Sequence, residues 1–457
     1  MPVMSEVADT TNIAARLERL PFSRVHRNFL LMVASGEFVE SMMLLGNGAM
    51  LAIVATVLHF STVESAYVVP ISFFAGEFVG SIVIGYLSDR FGRRTMFAYD
   101  LIIFAGGIII AGFFSDPVAI AVFLFISGIG VGGEFPLVDT YTTEIFPGHQ
   151  RGRRMATVYT LAVIAAPVVA ILAYALSQPE PGPFSWRILF WIIGVLAIIV
   201  WAIRLRMPES PRWLASRGRT AEAENVVENM EEEAIRQFKL EELPPITEHA
   251  QVDEVTGRWR DLWAPDLRGK TIMMLIFQFF QSGVFYGFTT LAPTFLLAKG
   301  VSLVHTLLFT MIIYSGFLVG SIVSIFVIDR VERKWGIIVT AVLSGVLGTI
   351  FVLVPNVAAS VILGFLVAFV LWIFSNFYHT YQAEIFPTRV RSMAAGTVYS
   401  VSRISTSILV AVITTFFLPL GLLATYGVIW IFIVIVVIVI WIFGPLTSRR
   451  RLEDISQ

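Results

Sequence analysis

The chain has 457 residues, 56% hydrophobic and only 14% charged, with a mean hydropathy of +0.79; water-soluble domains carry about 25% charged residues, so an ordinary soluble protein is excluded. A net charge of −1 offers no basis for nucleic-acid binding, and the absence of cysteine excludes disulfides and thiolate metal sites. The six histidines are scattered and complete neither a nucleophile–base set nor a metal-ligand spacing, so neither an enzyme nor a cofactor or metal site is expected.

Residues 1–28 are polar, mixed in charge and without a signal-peptide pattern, which predicts a cytoplasmic segment and a first span that inserts uncleaved. Apolar runs such as Ile102–Phe114, Trp191–Ile203 and Val428–Phe443 then approach, with their flanks, the ~20 residues needed to cross hydrocarbon. Blocks between charged or Pro/Gly breaks predict an all-α membrane protein of twelve transmembrane helices. They lie at 29–58, 66–88, 95–114, 117–143, 153–178, 186–205, 271–297, 304–328, 335–354, 357–382, 392–417 and 421–444. The predicted units are an N-terminal six-helix bundle (29–205), a cytoplasmic linker (206–270), a C-terminal six-helix bundle (271–444) and a cytoplasmic tail (445–457). Within the linker, the acidic run Thr220–Glu233 reads as a surface helix, with Glu231, Glu232 and Glu233 on a solvated face.

Basic residues cluster in alternate connections: Arg90, Arg93 and Arg94; Arg151, Arg153 and Arg154; Arg330, Arg333 and Lys334; Arg389 and Arg391; and Arg449 to Arg451 in the tail. The intervening turns, such as Ser115-Asp116-Pro117 and Val354-Pro355-Asn356, carry none. By the positive-inside rule, these basic loops and both termini are expected in the cytoplasm, with the protein in the plasma membrane.

An internal repeat runs through the chain. Asp89-Arg90-Phe91-Gly92-Arg93-Arg94 is matched by Asp329-Arg330-Val331-Glu332-Arg333-Lys334, and Glu144-Ile145-Phe146-Pro147 by Glu384-Ile385-Phe386-Pro387. From 89 to 329 and from 144 to 384 the offset is the same 240 residues. Two motifs at one offset indicate a duplicated six-span unit, which keeps its orientation and so gives parallel halves about an axis along the membrane normal.

The run Gly85-Tyr86-Leu87-Ser88-Asp89-Arg90-Phe91-Gly92-Arg93-Arg94 closely resembles the loop 2–3 signature of the major facilitator superfamily. Pro208-Glu209-Ser210-Pro211-Arg212-Trp213-Leu214 is similar to a motif shared by sugar porters and organic-ion transporters. Gly132-Gly133-Glu134-Phe135-Pro136-Leu137, followed by Glu144 and Arg151-Gly152-Arg153, is similar to span four of proton-coupled metabolite and organic-ion carriers. The resemblance implies alternating access by a carrier that works as a monomer in the lipid bilayer, moving a small solute with protons. It also implies a cytoplasmic gate of Asp89, Arg93, Glu144 and Arg151, repeated in Glu384 and Arg391. Residue types predict Asp89 pairing with Arg93, and Glu144 with Arg151 or Arg154. Gly80 and Gly85 are expected to let helices approach closely.

Charges at mid-span cost several kcal/mol unless paired, protonated or wet, which marks them as functional candidates. Glu37 and Glu40 stand at i and i+3 of span one, on neighbouring positions of one face. Two carboxylates so placed repel when both are ionised, which suits one of them to carry a proton. Related symporters often place an Asp where Glu40 falls, and tend to have an aromatic where Glu37 falls. Glu134 and Asp139 in span four complete the proton-coupling candidates, and Glu77 in span two is expected to pair with another helix. Arg403 stands alone in span eleven and must face an acid or an anionic ligand, because a guanidinium does not deprotonate. In the organic-anion branch of the resembling family an Arg in this neighbourhood contacts substrate; pairing with an acid of span one or four is the other reading. His379 is expected to be structural.

Span seven is rich in aromatic residues and adds Gln278 and Gln281, which, with Tyr286, Tyr378 and Arg403, are the candidate substrate residues. The Gln-Gln…Gly…Asn pattern of related sugar porters is only echoed by Gln281 and Gly283, with no Asn following, which argues against a hexose. The leading expectation is proton-coupled symport of a small organic anion or metabolite. The alternatives are a sugar or organic-cation carrier, a facilitative uniporter and an efflux pump.

Overall fold

The computed structural model describes residues 13, 15–178, 181–246, 259–328, 330–386 and 391–447. Twelve helices among them are long and apolar enough to cross a membrane: Arg24–Leu58, Val63–Gly85, Arg93–Ala111, Pro117–Thr142, Thr157–Leu176, Ser185–Arg204, Arg268–Thr289, Leu303–Ser324, Arg333–Leu353, Val357–Gln382, Gly396–Leu420 and Leu422–Phe443. These are spans one to twelve, and no strand occurs among the described residues.

Local chemistry explains where the helices start and bend. Asp116 accepts a hydrogen bond from the Ala119 amide (2.8 Å) with Pro117 in the first turn, opening span four. Asn356, 240 residues on, does the same for span ten through Ala359 (3.0 Å). The entry to span two passes through a π-helical turn, Tyr67–Ile71, containing Pro70. A proline lacks the N–H and crowds the carbonyl four residues back, and the wider turn relieves both. Span seven, predicted as one helix over 271–297, stops at Thr289; a separate short helix, Ala292–Ala298, follows with Pro293 in its first turn.

Spans two and four pack backbone to backbone. A Cβ at Gly80 would collide with the Ile129 carbonyl, and one at Gly132 with the Glu77 carbonyl. The repeat reproduces this contact, since Gly320 of span eight lies against the Phe369 carbonyl of span ten in the same way. Lipid offers no hydrophobic drive between helices, so such close approach supplies the attraction through dispersion and weak hydrogen bonding. Gly85, by contrast, meets nothing within 4 Å, so only Gly80 of the two expected glycines serves this purpose. Spans one to six pack among themselves, as do spans seven to twelve. The two sets meet along two seams, span two on eleven and span five on eight. Thr160 and Ser321 share a hydrogen bond (3.1 Å) across the second seam.

At the end of the bundle that carries the basic loops, the linker docks on the first six spans. The Glu209 carboxylate accepts from the amides of Arg93 (2.9 Å), Arg94 (3.2 Å) and Ser210 (2.9 Å), neutralising the exposed N–H groups that open span three. Arg93 donates to Glu144 (2.9 Å) and to the Ser88 carbonyl (2.9 Å); Arg333 makes the latter contact with the Ile328 carbonyl, again 240 residues on. Glu144 is thus paired with Arg93, because span three starts beside the end of span four. Arg154 lies with its guanidinium 3.5 Å from the Phe22 ring centroid. The side chains of Asp89, Arg151, Glu384 and Arg391 lie outside the described residues.

The linker helix Thr220–Phe238 buries Ala223, Val227, Met230 and Ala234. Glu231, expected on a solvated face, instead binds Arg16 (2.7 Å) and Arg19 (2.7 Å) of the segment before span one. Burial pushes its carboxyl up, but hydrogen bonds from the two guanidinium groups outweigh this and hold it below its ordinary 4.5. The docking contribution is therefore complete above that value and is lost as pH falls through the depressed one. Hydrogen exchange across Thr220–Phe238, corrected for intrinsic rates, should accelerate as pH drops below 4.5; Glu231→Gln should show the faster exchange already at neutral pH. Gly132→Val should destroy the monodisperse detergent-solubilised species, whereas Gly85→Ala should change stability by less than about 0.5 kcal/mol, both read by size exclusion and thermal unfolding.

Candidate functional site

Three of the polar clusters among the described residues hold the candidate side chains inside the bundle. The first joins spans one, three, four and six. The Arg204 guanidinium, only 1% exposed, donates both terminal nitrogens to the Glu134 carboxylate (2.8 Å for the Nη1 bond). It also reaches the carbonyls of Met32 (3.0 Å) and Val33 (2.8 Å) and covers the Phe97 ring. Gly36 makes room for it, since a Cβ there would overlap the guanidinium. Glu40 and Asp100 close on the same spot, with one oxygen from each of Glu40, Asp100 and Glu134 lying within 4.8 Å of the others.

The second cluster crosses the seam between spans two and eleven. Arg403 pairs with Glu77 (3.1 Å) and donates to the Tyr286 hydroxyl (2.7 Å). The rings of Phe135, Tyr286 and Tyr399 surround the guanidinium at 5.0, 5.5 and 4.4 Å. Such contacts are worth about 0.5–2 kcal/mol each when desolvated. Phe74 packs edge-on against Tyr286 (5.0 Å), and Ser407 donates to the Ile71 carbonyl (3.1 Å), extending the contact along the seam. Arg403 is thus held by an acid of span two, not of span one or four, because span two is the element that lies along span eleven.

The third cluster is a chain of glutamines. Gln278 donates to Gln382 of span ten (2.5 Å), and Gln281 donates to Gln278 (2.6 Å).

Between the halves lie two abutting cavities of about 60 Å³ each. One is walled by Glu37, Ser41, Phe285, Tyr286, Trp372, Ser375, Asn376 and Tyr378, the other by Pro136, Asp139, Thr140, Gln382 and Gly396. Phe135, Tyr159, His379 and Tyr399 belong to both walls. Small-molecule sites generally enclose about 300–1,000 Å³, so the centre is contracted here and a metabolite enters only if the halves separate. The walls offer unused polar groups: Trp372 Nε1 and Glu37 Oε2 are buried without a hydrogen-bond partner. Asp139 accepts from the Tyr159 hydroxyl (2.7 Å).

The structure brings Glu37, Asp139, Tyr286 and Tyr378 to the cavities. Gln278 and Gln281 stand behind the wall, and Arg403 stands behind its rings. Glu37 and Glu40, expected as a repelling pair, have different surroundings: Glu37 lines a cavity and accepts from Ser41 (3.5 Å), while Glu40 joins Asp100 and Glu134. His379, expected to be structural, stacks on Tyr378 (4.5 Å) and lines both cavities. Asp100 and Arg204 escaped the sequence reading. Each stands near the end of its apolar run, where charges normally set topology, and only the depth to which the side chains reach makes them internal. The usable signal was Asp100 itself, one acid two turns into span three.

The sequence from residue 20 to residue 457 matches the family described as sugar (and other) transporter. A putative metabolite transport protein of Bacillus subtilis is 28% identical, covering 97% of each chain. The niacin transporter of Acinetobacter baylyi is also 28% identical, over 97% of this chain and all of its own length. Among solved structures, the xylose transporter of Escherichia coli in a partially occluded inward-open conformation superposes with a TM-score of 0.76 at 19% identity, covering 93% of this chain and 99% of its own. An integral twelve-span bundle with a duplicated half, matched along nearly its whole length to carriers and not to enzymes, belongs to the sugar (and other) transporter family of the major facilitator fold.

Proposed function

We propose that the protein is a proton-coupled symporter of a small, flat organic anion. It works by alternating access between the bundles 29–205 and 271–444, with the linker end and both termini in the cytoplasm of a cell whose plasma membrane holds it. The observation that carries this reading is the Glu77–Arg403 pair, buried on the seam behind a cavity whose shared wall is aromatic.

A guanidinium in the bundle needs an anion at all times. Glu77 supplies it while the cavity is contracted, and a substrate carboxylate replaces Glu77 once that carboxylate takes up a proton. One anion then enters with one proton, and neither exchange leaves the guanidinium bare. Glu37 and Asp139, on the cavity walls, are placed to pass protons to and from solvent. Phe135, Tyr159, Tyr286, His379 and Tyr399 present faces that suit a planar ring. Niacin, which gives one relative its name, is a pyridine carboxylate of this kind. At the linker end, Arg93–Glu144 holds spans three and four together, in keeping with a gate that includes Asp89, Arg151, Glu384 and Arg391.

A second reading, an organic-cation carrier, is favoured by Glu37 and Asp139 facing the same rings. The two are separated by a thermal-shift screen of aromatic monocarboxylates, quaternary amines and pentoses at acidic and neutral pH. Stabilisation by the carboxylates alone, larger at acidic pH, is the expected result; stabilisation by amines alone would sink the anion assignment. In proteoliposomes loaded for uptake of the stabilising acid, Arg403→Ala should abolish transport, and Glu77→Gln should retain it with a flattened pH dependence. Arg403→Ala should also cost about 3–5 kcal/mol of stability by leaving Glu77 unpaired, and most of that loss should be recovered in the double variant Glu77→Gln/Arg403→Met on thermal unfolding.

A further inference from the structure

We infer that the substrate is a zwitterion: the carboxylate that Arg403 accepts belongs to a molecule with its own cationic centre, and that centre sits in an aromatic box between Glu37 and Asp139. The inference rests on the anion reading above and names the substrate class of that same site.

The box consists of four rings closed on themselves. Phe135 meets Tyr159 (6.1 Å between centroids), Tyr159 meets His379 (6.2 Å), His379 meets Tyr399 (5.6 Å), and Tyr399 returns to Phe135 (5.3 Å). All four belong to both cavity walls, so they surround the place where the cavities abut. Ring faces carry negative potential, and several of them around one cavity suit an alkylated ammonium or a pyridinium. Two of the rings come from spans four and five and two from spans ten and eleven, so the box is whole only while the halves are together.

The acids beside the box point the same way. Glu37 lines one cavity and Asp139 the other, which puts a carboxyl on each side of the rings. Neither forms an ion pair among the described residues. Glu37, 1% exposed, accepts from Ser41 (3.5 Å) and its Oε2 meets no donor, while Asp139 accepts from the Tyr159 hydroxyl (2.7 Å). The guanidinium groups of the interior are engaged elsewhere, Arg204 on Glu134 and Arg403 on Glu77. A fixed cation in the box gives both carboxyls the counter-charge that the protein withholds.

A cation without an anion fits less well. Arg403 lies against two of the same rings, its guanidinium 5.0 Å from the Phe135 centroid and 4.4 Å from that of Tyr399. A ligand cation held by those rings is repelled by the guanidinium across them unless an anion stands with it. A carboxylate on the same molecule is that anion. Tyr286, whose hydroxyl accepts from Arg403 (2.7 Å), continues the wall of the Glu37 cavity toward the guanidinium, so one small molecule reaches both places. A plain anion, conversely, brings a further negative charge to a cavity already lined by two carboxyls. The zwitterion leaves neither end unmatched.

The test uses three ring compounds of one shape: 3-methylbenzoate, an anion; 1-methylpyridinium-3-carboxylate, a zwitterion; and 1,3-dimethylpyridinium, a cation. Their dissociation constants are measured by titration calorimetry on the purified full-length protein at neutral pH. The zwitterion should bind tighter than 3-methylbenzoate by about tenfold or more. That ratio should fall toward one in the double variant Glu37→Gln/Asp139→Asn and drop in His379→Leu, which removes one side of the box. Thermal unfolding checks that each variant is folded; where the double variant is not, Glu37→Gln and Asp139→Asn singly should each lower the ratio. An equal or tighter affinity of wild type for 3-methylbenzoate overturns the zwitterion and leaves the anion reading standing. A ratio unmoved in every folded variant overturns the box in the same way. If 1,3-dimethylpyridinium binds tightest, or neither carboxylate binds, the anion reading itself fails and the inference falls with it.

Discussion

A charge inside a helical bundle bathed by hydrocarbon must be met within a few ångströms, or its burial costs several kcal/mol. That constraint organises the interior. Arg204 and Arg403 are both nearly without exposure, and neither can shed its proton, so each fixes an acid of another span in place. Arg204 ties span six to span four within the first half. Arg403 ties span eleven to span two across the halves. The first pair rigidifies one bundle, and the second sits on the seam between the two bundles.

The difference in setting gives the pairs different work. Removing one partner from either leaves a bare charge, but only the seam pair can exchange partners without unfolding a bundle. On the proposed function, a substrate anion or a proton arriving at the seam would change what Arg403 faces, and the electrostatic cost of each state would then differ. The aromatic rings around Arg403 soften these changes, because a cation over a ring face keeps part of its stabilisation when its anion moves. The internal cluster around Glu40 and Asp100 has no comparable freedom of position.

Glycine contacts set how far these groups are from each other. Spans two and four approach until main chains touch at Gly80 and Gly132, and spans eight and ten do so at Gly320. Close packing at these points keeps each half rigid. Across the seams between halves the contacts are of another kind: hydrogen bonds such as Thr160–Ser321, the Glu77–Arg403 ion pair and ring packing such as Phe74 on Tyr286. The linker adds to the rigidity of the first half alone, through Glu209 at the start of span three and Glu231 on Arg16 and Arg19.

The sequence by itself determined the twelve apolar helices and the 240-residue repeat, because hydrophobic run length and motif offset are local properties that hydrocarbon enforces. It also singled out Glu37, Glu40, Glu77, Glu134, Asp139 and Arg403, because charge within an apolar run is conspicuous. It left the partners undecided. Glu77 and Arg403 are far apart in the chain and meet only because span two lies along span eleven. Glu37 and Glu40, neighbours by spacing, part company because one faces the seam and the other the centre of the first bundle. Asp100 and Arg204 were hidden in plain view, since a charge near a span's end reads as topology until the packing shows how deep its side chain reaches. Pairing is a property of which helices touch, and that is decided by tertiary packing.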